Sequence, residues 1–390
     1  MAKLIDITGK AISGEWGNED DAGIGIPVLR TTNFTNDGVV NYNTVVTRDI
    51  QKKDLSQKYL QPGDIIIEKS GGSDKQPVGR VVYYDGEPNT YLFNNFTGVL
   101  RVRDKSTWYP RYVFYALYGN YAKGGTRKYQ NKTTGLHNLK TDQYVQDFSI
   151  QEQPIEYQRE VVAKLDKVTE LITLRKEQLA KLDQLIKSRF VEMFGDPKDN
   201  PNGFIQKRLK DTCVIVTGNT PSRAVDEYYG DFIEWIKTDN IVSGLLNPTV
   251  ATEYLSKKGM VAGKTVEKNS ILMACIAGSL SSIGRVCVTD RKVAFNQQIN
   301  AIVPREYNAM FLYVMLLLSK DYLVEEINMA LKGILSKSKL EEKVLVVPPI
   351  DLQNQFATFV DQTNKTKLTI QSSLDKLELL KKSLMQQYFG

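Results

Sequence analysis

Pro154-Ile155-Glu156-Tyr157-Gln158 and Pro349-Ile350-Asp351-Leu352-Gln353 stand 195 positions apart, and the alignment they open runs without a gap to Phe194-Gly195 against Phe389-Gly390. Identical pairs on the way include Asp166/Asp361, Leu179/Leu374, Lys181/Lys376, Leu182/Leu377, Lys187/Lys382 and Ser188/Ser383. The chain has 390 residues, twice that offset. An internal repeat of this size makes two half-units, each a globular part followed by a long helix. The expected boundaries are a globular part over 1–153, a helix over 154–195, a second globular part over 196–348 and a second helix over 349–390.

Within the first helical stretch, Val161, Leu165, Val168, Ile172, Leu179, Leu182 and Ile186 alternate steps of four and three, with Arg175 in the same phase. That is a heptad seam. Its counterpart carries Phe356, Val360, Ile370, Leu374, Leu377 and Leu384, with polar Thr363 and Lys367 in phase. Leu171, Leu174 and Leu185 add apolar surface outside the seam. Long single helices are marginal in water, so each seam needs a partner. The expectation is an antiparallel pairing of the two, an intramolecular coiled coil with pseudo-twofold character.

The globular parts read as short strands with a few helices. Strand-like runs are Asp64-Ile65-Ile66-Ile67-Glu68, Gly79 to Tyr84, Gly98 to Val102, Ser270 to Cys275 and Gly284 to Val288; helical patterns follow near Tyr109–Tyr118 and Tyr307–Ser319. Weaker echoes link the two parts: Leu29-Arg30-Thr31-Thr32-Asn33 with Ile236-Lys237-Thr238-Asp239-Asn240, Gly79-Arg80-Val81 with Gly284-Arg285-Val286, and Phe93-Asn94 with Phe295-Asn296. The fold class is α+β, two globular mixed α/β domains separated by two long helices. A shared scaffold with different detail suits two domains that read different ligands.

Several kinds of chemistry are excluded. Cys213, Cys275 and Cys287 form no C-x-x-C pair, and His137 is the only histidine, so neither a zinc site nor a metal cluster has ligands at workable spacing. His137 itself reads as a polar loop residue. Gly263-Lys264-Thr265 lacks the glycine a phosphate loop needs five positions earlier, where Lys258 stands. No cofactor is expected. No apolar run reaches the length of a membrane span, and the start of the sequence has no secretory character, so the expectation is cytoplasmic, with no membrane partner.

Net charge is +6, but its distribution is more informative. Nine Lys/Arg and one acid, Asp104, fall between Arg101 and Lys140, interleaved with Tyr109, Tyr112, Tyr115, Tyr118, Tyr121 and Tyr129. This suits either a phosphate-contacting surface or a charged helix face with tyrosines packed beneath it.

Taken together, the pattern resembles the specificity subunits of type I restriction–modification systems, across nearly the whole chain. The resemblance rests on the domain–helix–domain–helix order, on the helix beginnings Ile155-Glu156-Tyr157-Gln158 and Pro349-Ile350-Asp351-Leu352-Gln353, which are similar to the family's Pro-Leu-x-x-Gln, and on the helix exit Lys187-Ser188-Arg189-Phe190-Val191-Glu192-Met193-Phe194-Gly195-Asp196-Pro197. The stretch Ile150-Gln151-Glu152-Gln153-Pro154 departs from the family pattern that Val346-Val347-Pro348-Pro349-Ile350 follows.

The resemblance implies a non-catalytic DNA-recognition subunit. Each globular part would be a target-recognition domain reading half of a bipartite double-stranded DNA site. The helices would set the spacer and dock two methyltransferase (modification) subunits, which carry S-adenosylmethionine and flip an adenine for N6-methylation. Motor–nuclease (restriction) subunits would complete the complex. Cationic and amide side chains are the DNA-binding candidates: Arg30, Thr31, Arg80, Arg127, Lys128 and Lys132 in the first domain, and Lys237, Thr238, Arg285, Gln297, Gln298, Lys332, Ser336 and Lys337 in the second. Arg80 and Arg285 also fit a scaffold role, since each follows a glycine at the same place. Two other readings use the same features: a coiled-coil scaffold without DNA binding, and the specificity module of a fused restriction–methylation enzyme.

Overall fold

A computed structural model describes the chain except Lys53, Thr134, Gly135, Lys198, Glu326 and 328–332; the side chains of Lys132 and Thr133 are also outside the described part. The chain divides into two compact units, Met1–Arg175 with Ser373–Gly390, and Lys176–Ser372. Each unit therefore holds one globular part and a portion of both long helices.

In the first unit, Ile65-Ile66-Ile67 explains the layering. All three are fully buried. Because successive strand residues face opposite sides, Ile65 and Ile67 pack with Val113 and Leu117 of the helix Pro110–Ala122, whereas Ile66 packs with Leu29, Tyr84 and Phe93. This strand, Ile65–Glu68, is central in an antiparallel sheet ordered Ile12–Ser13, Thr97–Leu100, Ile65–Glu68, Val81–Tyr83. A second sheet, Asn18–Glu19, Val46–Asp49, Ile26–Leu29, Leu92–Phe93, covers its other face and contains one parallel pairing, Val28 with Leu92. A third, Gln130–Thr133, Leu136–Leu139, Ser70–Gly72, extends from the strand-end loop.

The second unit repeats this plan. Ile271–Ala274 is central in a sheet ordered Cys213–Thr217, Ile299–Pro304, Ile271–Ala274, Val286–Val288. Ile271 and Met273 face the helix Ala309–Leu318, and Leu272 and Ala274 face the other core with Ile236 and Phe295. The parallel pairing recurs as Trp235 with Ala294. In each unit the first and last strands of the globular part pair with one another: Ala2–Lys3 with Ser149–Ile150, and Ile205–Arg208 with Val344–Val347.

The long helices run Ile155–Phe194 and Ile350–Phe389, 40 residues each. At 1.5 Å per residue each is about 60 Å long. Both are fastened at their starts by a buried glutamine. Gln158 Oε1 accepts from the Tyr109 amide (2.9 Å), and its Nε2 donates to the carbonyls of Thr107 and Gln153. Gln353 Oε1 accepts from the Asn308 amide (2.9 Å), and its Nε2 donates to the Pro348 carbonyl. Each glutamine thus satisfies a backbone N–H at the start of the domain helix.

Within each unit the helix portions are antiparallel neighbours. In the first, Tyr157 near the beginning of one helix meets Tyr388 near the end of the other, with ring centroids 6.4 Å apart. In the second, Phe190 packs edge-on to Phe356 (5.4 Å), and Lys367 pairs with Asp183. In the seam Val161, Leu165, Ile172, Phe356, Val360 and Leu374 are buried and Leu179 and Leu182 half-buried; outside it Leu174, Leu185, Leu368 and Leu379 are exposed.

The tyrosines of 101–140 resolve into packing. Tyr112, Tyr115 and Tyr129 are buried. Tyr115 donates to Asp166, Tyr118 to the Asn36 carbonyl and Tyr121 to the Pro77 carbonyl. Two of the interleaved cations are structural as well: Arg101 pairs with buried Asp64, and Arg111 with Asp166 on the long helix, both at 2.7 Å. His137 is not a loop residue. It lies buried in the strand Leu136–Leu139, its Nδ1 3.0 Å from Gln130 Oε1. All three cysteines are buried and free. Among the described residues, no helix is long and apolar enough to cross a membrane, and no His/Cys/Asp/Glu group could hold a metal ion.

Candidate nucleic-acid interface

In both units the strand carrying the parallel pairing ends in a single 3-10 turn, Thr31–Asn33 or Thr238–Asn240. A buried asparagine shapes each turn. Asn33 Oδ1 accepts from the Arg30 amide (2.9 Å) and its Nδ2 donates to the Asn41 carbonyl (2.9 Å). Asn240 Oδ1 accepts from the Lys237 amide (3.0 Å) and its Nδ2 donates to Thr249 Oγ1 and the Val250 carbonyl. An arginine from the neighbouring strand end then donates to a carbonyl of the turn. Arg80 Nη2 donates to Thr31 O (3.0 Å) and Nη1 to Phe34 O (3.2 Å); Arg285 Nη2 donates to Thr238 O (3.4 Å) and Nε to Ser282 O (3.2 Å). The structure thus brings Thr31 to Arg80 and Thr238 to Arg285, and gives both arginines scaffold contacts.

Beside the first turn lies an open cleft of about 270 Å³ with Thr31, Thr32, Glu68, Ser73, Gln76 and Arg80 in its wall. Arg30 flanks the turn, its Nη2 donating to the Thr44 carbonyl (3.0 Å). Arg127 and Lys128 are exposed on the turn Arg127–Tyr129, where Lys128 sits 4.9 Å from the Tyr129 ring centre. Lys132 follows on the strand Gln130–Thr133, its side chain outside the described part.

The second unit's candidates are more heavily engaged. Lys237 pairs with Glu253 and lies 5.1 Å from the centre of the Trp235 ring; Arg223 pairs with the same carboxylate and stacks on Tyr229 (4.3 Å). Gln297 is exposed and accepts from Thr220; Gln298 Oε1 accepts from Asn296 Nδ2 (3.2 Å). Ser336 caps the helix Lys337–Glu342 by accepting from the Lys339 amide (3.3 Å), and Lys337 is exposed with Glu341 3.5 Å away. Lys332 lies outside the described residues.

Sequence reasoning passed over three groups. Arg223, more than half exposed, has no heptad, glycine or repeat signal. Gln158 and Gln353 were visible as a repeated letter without a role. Glu68 read as the end of a strand, although burial there pushes its carboxyl above the usual range, Arg80 only partly opposing the shift.

Two copies of one architecture, each carrying an arginine-braced turn, match a known family twice over. Residues 2–184 and 201–379 each correspond to the type I restriction modification DNA specificity domain. The chain belongs to that specificity family. A curated relative, the HindI specificity subunit of a type I restriction enzyme from Haemophilus influenzae (strain ATCC 51907 / DSM 11121 / KW20 / Rd), is 35% identical over 119 residues. That match spans 30% of this chain and a quarter of the relative's length, 25%. Among solved structures, the type I restriction–modification S subunit from M. genitalium aligns with a TM-score of 0.62 and 13% identity, covering 100% of this chain and 95% of that one. A chain from work on assembly and conformational transition of the type I R-M system aligns at 0.55 with 17% identity, covering 100% and 96%. At these identities the likeness establishes the specificity-family fold.

Proposed function

We propose that the chain is the non-catalytic DNA-reading subunit of a cytoplasmic type I complex, each unit reading one half of a bipartite double-stranded site. The long helices set the unread spacer and dock two methyltransferase subunits, with motor–nuclease subunits beyond them. The chain itself carries no cofactor. The observation behind this reading is the duplicated braced turn: one scaffold occurs twice while the side chains around it differ, as Glu68 and Asn95 against Ala274 and Gln297 illustrate. Arg30, Arg127, Lys128 and Lys132 in the first unit, and Lys237, Gln297, Gln298, Lys332 and Lys337 in the second, are proposed to face DNA. Thr31, Arg80, Thr238, Arg285 and Ser336 hold the backbone that presents them.

Methylome mapping of a host expressing the chain with its methyltransferase subunits tests this. A single bipartite adenine-methylated motif is expected. A scaffold without DNA binding would yield no motif and no salt-dependent shift of a duplex, and methylation or cleavage by the chain alone would exclude the non-catalytic reading.

A further inference from the structure

The two units place the same arginine on the same turn but differ behind it. Glu68 and Ala274 occupy equivalent positions: each amide donates to the carbonyl of its arginine, Arg80 or Arg285, at 2.9 Å, and each carbonyl accepts from the glycine before that arginine. Register agrees, since Thr97 faces Glu68 as Ile299 faces Ala274. Arg285 therefore reaches its turn, through one bond to the Thr238 carbonyl, with an alanine behind it. The carboxylate of Glu68 is not required for that contact.

Glu68 is nonetheless 4% exposed. A buried carboxylate carries a desolvation cost unless its oxygens are paired. Here Arg80 Nη2 is 3.5 Å from Oε1, a weak contact, and Oε2 finds no hydrogen-bond partner among the described residues. The side chain forms part of the wall of the cleft beside Thr31 and Gln76. A costly acceptor that the scaffold meets through one long contact, set in a cleft, has capacity for a donor from outside.

We infer that Glu68 is a specificity-determining residue of the first unit, its carboxylate accepting from the exocyclic amine of a base in one half-site. This rests on the DNA-reading function proposed above. Carboxylates take the amino group of cytosine N4 in the major groove, and adenine N6 presents the same donor. Ala274 offers no such acceptor, so the second unit reads its half-site without one.

The test uses the complex of the full chain with its methyltransferase subunits. Binding is measured by competition against duplexes in which each cytosine or adenine of the mapped site is replaced, one at a time, by an analogue lacking the amine. For the wild type, one position in one half-site is expected to lose about ten- to a hundredfold in affinity. Whether that position is a cytosine or an adenine identifies the donor. Glu68→Ala should bind the natural and amine-less duplexes equally there, with every other position unchanged. Glu68→Gln keeps the shape, guards against a misfolded alanine variant, and should reduce the discrimination at the same position at least threefold. Full discrimination retained by both variants, or by the Gln variant alone if the alanine variant does not fold, overturns the assignment while leaving the half-site reading intact. A wild-type complex without any site preference overturns both.

Discussion

Gln158 and Gln353 show how much one side chain can decide. Each is buried and joins a long helix to the start of the domain helix through backbone partners. Replacing either with alanine leaves buried amide and carbonyl groups unpaired, at about 1–3 kcal/mol each. Gln158→Ala and Gln353→Ala should each lower the urea midpoint accordingly, and the two losses should add, since no partner is shared. The thiols give a second expectation. Burial pushes Cys213 up to about 11 and Cys275 and Cys287 up to about 12, from an ordinary value of 9.0. Between those values the unfolded chain holds fewer protons than the folded one, so stability falls as pH rises above 9. Urea midpoints measured from pH 8 to 11 should show that decline, and alanine at Cys275 and Cys287 should lessen it. Of these residues the sequence displayed the repeated glutamine but not its bonds, because a hydrogen bond across 49 positions leaves no local pattern. Arg80 and Arg285 were legible as a pair for the opposite reason: each is tied to a glycine one position earlier and to the same strand.

At the scale of elements, periodicity carried the reading. The heptad seam and the Ile65-Ile66-Ile67 run are local patterns, and both emerge as elements, the isoleucines fully buried and the seam buried only in part. The basic, tyrosine-rich stretch was ambiguous because a tyrosine under a helix and one facing solvent obey the same spacing. The decision came from partners distant in sequence, Asp64 and Asp166. Lys367 is an informative interruption. It stands in the seam, its side chain only 18% exposed, and pairs with Asp183 of the opposite helix portion. A polar seam residue fixes register at a cost in stability. Lys367→Leu should therefore raise the melting temperature by a few degrees and loosen pairing specificity, seen as added dimer in size-exclusion chromatography. A lower melting temperature would show that the ion pair stabilises more than an apolar contact would.

For the whole molecule, the proposed spacer role ties DNA geometry to helix length. Seven residues inserted in phase after Ala180, matched by seven in the second helix, lengthen each by about 10 Å. Methylome mapping should then return the same half-sites with a longer gap; an unaltered gap would defeat the role. The two long helices were legible because the repeat marks them, whereas the turns Thr31–Asn33 and Thr238–Asn240 were not, since nothing in the sequence period announces them. One feature of the topology bears on how such a chain can diversify. Ile205–Arg208 and Val344–Val347 run side by side, so everything between them departs from and returns to one doorstep of the scaffold. A foreign segment with the same two bordering strands could be grafted there wholesale, and under the proposed half-site reading half of the preference would be rewritten in one genetic exchange while the rods stayed as they are.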